Sequence, residues 1–204
     1  MDFFEVANTQ RAMRRLKLDP VADEDLWRIL DTAIMAPSGG NRQPWNFVVV
    51  RDAEKKRKIG AWYLEAWERA YGPQKQAMLA NPAMARTFNS ADYLANHLAE
   101  APVLIIATVR KEMFAIGPTL GASVYPAVQN LMLAARALGL GTTLTTLHKF
   151  HEQDVKHLLG IPEDVETMAL IPVGVPRGTF GTPSRLPAEK VVYWDGWGAT
   201  HART

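Results

Sequence analysis

Apolar side chains recur along this chain in two rhythms. In the first, Leu26, Ile29, Leu30, Ala33 and Ile34 fall at i, i+3, i+4, i+7 and i+8. That is the stripe of a helix packed on one face, and Asp23 is placed to cap it. Leu120, Val124, Ala127, Leu131, Ala135 and Leu138 repeat at threes and fours, which predicts the longest helix over 119–138, ended by Gly139. Small residues along it, Gly121, Ala122, Ser123 and Ala134, permit close packing. Residues 53–71 repeat the helical pattern with charges outside, and "EQDVKHLLG" reads as a short helix stopped by Gly160. Residues 3–13 read as another, closing in the basic run "RAMRRLKLDP" and its proline.

The second rhythm is the short, continuous apolar run of a buried strand. "WNFVVVRD", "APVLIIATVR", "LGTTLTT" and "TMALIPVGVP" fit it, and the tail holds one further extended run, "KVVYW". Between Gly72 and about Ala91 both rhythms fade in "GPQKQAMLANPAMARTFNSA", which reads as an irregular excursion, a lid spanning about 72–96. Strands alternate with helices, with no internal repeat and no linker. The expectation is one α/β or α+β domain over 1–204 with a central sheet.

Composition narrows the function. Of 204 residues, 48% are hydrophobic and 22% charged, enough for a buried core. The formal charge is +2 and the basic residues are scattered, so the electrostatic footprint of a nucleic-acid binder is missing. No window approaches ~18 consecutive apolar residues and no secretory signal opens the chain, which leads to the expectation of a cytoplasmic protein with no membrane partner. There is no cysteine. Disulfides, thiolate metal sites and cysteine nucleophiles are excluded, and redox chemistry would have to come from a bound cofactor.

Several familiar motifs fail. "GLGTTL" from Gly139 begins like a dinucleotide fingerprint but follows a helix and has Leu144 at the third glycine position. No phosphate-binding GxxxxGK[ST] loop and no GxSxG elbow occurs. His148, His151 and His157 lack the spacing of a zinc site, so no metal is expected.

Three polar clusters remain. Arg11, Arg14 and Arg15 close the first predicted helix, where Arg11 and Arg14 at i and i+3 would share a face and grip a phosphate with planar forks. The stretch "APSGGNRQPW" concentrates Ser38, Asn41, Arg42 and Gln43 around two glycines, with little bulk. Arg185 stands between prolines in "PSRLP". Each has an ordinary explanation as a helix-end charge, a turn or a solvated tail. Together they suit a ligand with an anionic tail, a polyol and a flat heteroaromatic head.

"RAMRRLK", "APSGGNRQPWNFVVVRD", "ALGLGTT", "IPVGVP" and "SRLPAEKVVYWDGWG" together resemble the FMN-dependent nitroreductase family, from about Phe3 to Gly198. The resemblance implies an α+β fold of three layers: a central mixed, mostly antiparallel sheet flanked by helices, in an intertwined homodimer exchanging a C-terminal arm at about 178–204. It further implies FMN as cofactor, with NADPH or NADH as transient electron donor to a ping-pong cycle. The phosphate would fall to Arg11, Ala12, Arg14 and Arg185. Pro37, Ser38, Gly39, Asn41 and Gln43 would reach the flavin from the partner subunit, and backbone N–H groups of Thr145, Thr146 and Leu147 would lie near its N5 and O4. Gln10 replaces the family's usual first arginine, Ala12 its usual serine, and Pro183 and Leu186 flank Arg185 without a second basic residue, so the expectation is either FMN binding weaker than is usual in the family or compensation by a residue such as Arg15 or Arg42. Acceptor choice would rest with Trp67, Tyr71, Met84, Phe88 and Tyr93. Two other readings stay open on this scaffold: a flavin sensor without turnover, and an oxygen-dependent flavin destructase or oxidative dehydrogenase.

Overall fold

The computed structural model describes residues 1–111 and 118–201; the last three residues of the expected C-terminal arm lie outside them. Helix α1 (Phe3–Thr9) starts where the Asp2 carboxylate accepts from the Glu5 N–H at 2.9 Å. It stops four residues before the predicted end, because Gln10 turns extended. Beyond it the backbone bonds sideways: the Met13 N–H donates to the Thr142 carbonyl at 2.8 Å and the Lys17 N–H to Val175 at 2.7 Å. Met13 and Leu16, which look like helical spacing, are buried as the inner positions of this ribbon.

Helix α2 (Asp23–Ala33) buries Leu26, Ile29 and Ala33 as predicted, but Asp23 is its first residue and not its cap. Asp23 instead pairs with Arg51 and contributes to an acidic first turn that suits the helix dipole. After the loop comes β1 (Trp45–Val50), then α3 (Ala53–Tyr71), capped by Asp52 accepting from the Lys55 N–H at 2.8 Å. The stretch expected to be irregular is helical: α4 (Lys75–Ala80) and α5 (Pro82–His97). Pro82 occupies the start of α5, where a missing N–H costs nothing, and the Asn81 side chain accepts from the Ala83 N–H at 3.0 Å. Strand β2 (Val103–Arg110), α6 (Pro118–Ala137), β3 (Gly141–Thr142), α7 (Glu152–Leu159) and β4 (Val165–Gly174) follow.

The sheet order is β1-β2-β4-β3 and every neighbouring pair is antiparallel. The parallel component anticipated in a mixed sheet is reduced to one bridge, Ala12 to Thr142. Alternation along the central strand β2 builds three layers. Val103, Ile105, Ala107 and Val109 pack with α2 and α6, while Leu104 and Ile106 pack with α3 and α5. Strand β1 is an edge with Asn46 and Val49 exposed, not the fully buried strand its apolar run predicts. "KVVYW" forms no strand; Val191, Val192 and Trp194 are exposed beyond a single turn at Ala188–Lys190. Among the described residues no helix is long and apolar enough to cross a membrane.

One buried group, His148, contributes a pH dependence to the stability of the fold. His148 is 1% exposed and neither ring nitrogen has a hydrogen-bond partner. Burial, with the neighbouring Lys149 charge adding to it and Glu152 opposing, pushes its pKa down to about 4. The unfolded chain takes up this proton near pH 6.5 and the folded one does not, so stability is full above pH 6.5 and falls as pH drops toward 4. Urea titrations are expected to show a loss of roughly 3 kcal/mol across that window relative to His148→Leu. Equal pH slopes for the two proteins would remove His148 as the cause.

Candidate functional site

The ribbon after α1 is held by isolated bridges at Ala12 and Leu16 and buries Met13 and Leu16. With Met13 and Leu16 turned inward, Arg11, Arg14 and Arg15 are left along a cavity of about 680 Å³. Ala12 lines it beside them, and Arg185 closes it from the tail with Gly178, Thr179 and Ser184. The phosphate cluster foreseen on a helix face therefore assembles from an extended segment, and Arg11 and Arg14 do not share a helical face. Arg86 of α5 completes the set with Thr87 and Ser90. Among the described residues no acidic side chain lines the cavity.

Half-buried Arg14 has its guanidinium pKa pushed down by desolvation, with the Tyr63 phenol as an opposing influence. Burial raises the Tyr63 pKa, against the hydrogen bond that its hydroxyl shares with Thr145 Oγ1 at 2.8 Å and the Arg14 charge. Arg15 lies over the Tyr93 ring, 4.2 Å from its centroid. Gln10 contributes no donor here; its amide points to the Met132 sulfur at 3.9 Å. Of the two suggested substitutes, Arg15 lines the cavity and Arg42 does not.

The loop Pro37–Gln43 lies elsewhere, and none of its residues lines the arginine cavity. It is shaped by left-handed backbone at Gly40 (φ 59°), Asn41 (φ 53°) and Gln43 (φ 52°). Such a conformation costs non-glycine residues about 1 kcal/mol each. Ser38 Oγ accepts from the Gln43 N–H at 3.0 Å, Ser123 Oγ from the Gly39 N–H at 3.3 Å, and the Gln43 side-chain amide donates to Asn41 Oδ1 at 3.2 Å. Pro37, Gly39, Asn41 and Gln43 are exposed.

In the third predicted segment, the Thr145 N–H is already committed to the Leu170 carbonyl at 3.0 Å, so Thr145 has no backbone donor to offer a ligand. Thr146 and Leu147 open the helical turn Leu147–His151, where first-turn N–H groups have no partner within the turn.

A second cavity of about 360 Å³ adjoins the first, sharing Thr87. Trp67, Tyr71, Met84 and Phe88 line it as expected, with Met78, Ala83 and Ala91, and no charged group among them. Trp67 Nε1 donates to Asp92 at 2.9 Å, and Lys75 pairs with the same carboxylate at 3.1 Å. Tyr93, expected in this wall, instead stacks on His97 at 4.1 Å and carries Arg15. Arg86 was missed in the sequence because its signal depends on reading the segment as helix. Once Asn81-Pro82 is seen as a start, Arg86, Ser90 and Tyr93 fall at i, i+4 and i+7.

Fold and site define a three-layer α+β protein with an arginine-lined cavity beside an apolar groove. The chain belongs to the nitroreductase family, whose sequence profile matches residues 7–175, and is therefore an oxidoreductase of that family. It is 32% identical to an NADH dehydrogenase of Thermus thermophilus over 95% of this chain and 96% of the relative. An iodotyrosine deiodinase of Thermotoga neapolitana is 31% identical, over 85% and 88%. The solved structure of an oxidised iodotyrosine deiodinase bound to FMN and 3-iodo-L-tyrosine superposes with a TM-score of 0.73 at 26% identity, covering 90% of this chain and 95% of that one.

Proposed function

We propose that this chain is an FMN-dependent oxidoreductase working as a cytoplasmic homodimer. The observation that carries the proposal is the cavity of Arg11, Arg14, Arg15, Arg86 and Arg185, with no carboxylate among the described residues of its walls, opening beside an apolar groove. Converging guanidinium groups without a counter-charge fit a phosphate monoester. FMN bound there would accept hydride from NADPH or NADH and pass two electrons, in a ping-pong cycle, to a nitroaromatic, quinone or enone-like acceptor.

The residues divide the work. Arg11, Arg14 and Arg185 hold the phosphate. The N–H groups of Thr146 and Leu147, at the start of their helical turn, would be the donors available to stabilise negative charge on the bound flavin. Pro37, Ser38, Gly39, Asn41 and Gln43 serve the neighbouring subunit: they lie outside their own arginine cavity, in a strained and exposed loop. The tail supports the same assembly, since Trp194 and Trp197 are 56% and 94% exposed and a partner surface would cover them.

Anaerobic addition of NADPH or NADH to the FMN-loaded protein is expected to bleach the visible flavin band, and a quinone or nitroaromatic to restore it. A bound flavin that neither nicotinamide reduces would overturn the reductase reading.

A further inference from the structure

Helix α5 is the wall between the two cavities. Met84, Thr87, Phe88 and Ala91, at i, i+3, i+4 and i+7, line the apolar groove, whereas Arg86, Thr87 and Ser90 line the arginine cavity. The two halves of the helix are held differently. Phe88, Leu94 and Ala95 are buried, Phe88 against the Trp67 ring at 5.3 Å. Residues 82–87 are exposed except for half-buried Ala85, so little apolar packing fixes the first turn and a half. Of the five cavity arginines, Arg86 alone is carried by that half; Arg11, Arg14 and Arg15 belong to the ribbon beside β3, and Arg185 to the tail.

We infer that Arg86 is a phosphate ligand, and that anion binding in the arginine cavity draws the first half of α5 into place and so builds the wall of the acceptor groove. The inference rests on the FMN reading for the identity of the anion. A phosphate monoester brings nearly two negative charges and three acceptor oxygens. Gln10 and Ala12 leave it fewer donors on the ribbon, and Arg86 supplies a planar fork from the opposite wall. Ordering the first half of α5 then places Ala83 and Met84 beside the fixed Phe88, so an empty cavity leaves that side of the groove loosely formed and a filled one completes it.

Two readouts test this on the full chain. Backbone hydrogen exchange of residues 82–88 is measured in the apo protein, with inorganic phosphate and with FMN. Dissociation constants for FMN and for riboflavin, which lacks the phosphate, are measured beside it. Both use wild type, Arg86→Gln and, as a control for loss of surface charge, Arg57→Gln, whose ion pair with Glu54 lies on α3. Phosphate and FMN are expected to slow exchange in wild type and in Arg57→Gln but not in Arg86→Gln. FMN binding should weaken about ten-fold in Arg86→Gln with riboflavin unchanged. Unaltered FMN affinity in Arg86→Gln, or equal loss for FMN and riboflavin, would overturn the inference. So would FMN binding to wild type without protection of α5, although the FMN reading would survive that result. Phosphate protection that depends on Arg86, in a protein that binds no FMN, would uphold the anion clamp and remove the flavin.

Discussion

Arg14→Gln is expected to weaken FMN binding by roughly 100-fold, while the apo protein melts at the wild-type temperature or slightly above it. The two effects have one cause. Folding buries much of the Arg14 guanidinium in a cavity that offers it no carboxylate, and desolvation lowers its pKa as a result. A charge held that way opposes folding and gains its return only when an anion arrives. Removing it relieves the free protein and strips the phosphate of a forked, partly desolvated donor. Flavin titration and a thermal melt on the same preparations check both halves. An Arg14→Gln protein that binds FMN as wild type does would show that the cavity is not the phosphate site.

The second large effect is expected at Gly141. A Cβ built there would stand 2.8 Å from Met13 Cβ, 3.1 Å from Leu16 Cδ2 and 3.2 Å from Pro176 Cβ. The first of these is tied to the backbone and cannot swing aside. Gly141→Ala must therefore push the ribbon off β3, straining the 2.8 Å bond from Met13 to Thr142 and moving Arg11 and Arg14 with it. Overpacking of this kind costs about 2 kcal/mol, a fall in melting temperature of roughly 4–8 °C for a chain of this size. FMN affinity should drop in the same variant. Gly72→Ala, where an added Cβ meets nothing within 4 Å, is the control and should do neither.

These two residues also mark how far the sequence alone reaches. The stripes of α2 and α6 and the apolar run of β2 were legible because each presents its period over several turns or one uninterrupted stretch. The ribbon at 11–17 was not: Met13 and Leu16 mimic helical spacing, and only a tertiary partner, the edge of β3, decides against the helix. The same holds for α5, whose faded periodicity reads as irregular until Asn81 is seen to cap a helix that opens on Pro82. Arg11, Ala12, Arg14 and Arg185 meet in one cavity although 170 residues separate Arg14 from Arg185 in the sequence, whereas Arg86 entered unannounced from α5. The Pro37–Gln43 loop keeps its distance within one chain, and its connection to the arginines rests on the proposed dimer.

The measurement that bears most directly on the whole account is the affinity of the wild-type protein for FMN beside its affinity for riboflavin, in the same buffer at low salt. If the five arginines are a flavin phosphate site, FMN binds roughly 100-fold more tightly, and added salt or inorganic phosphate narrows the difference. Equal affinities, or no binding of either flavin, would contradict it.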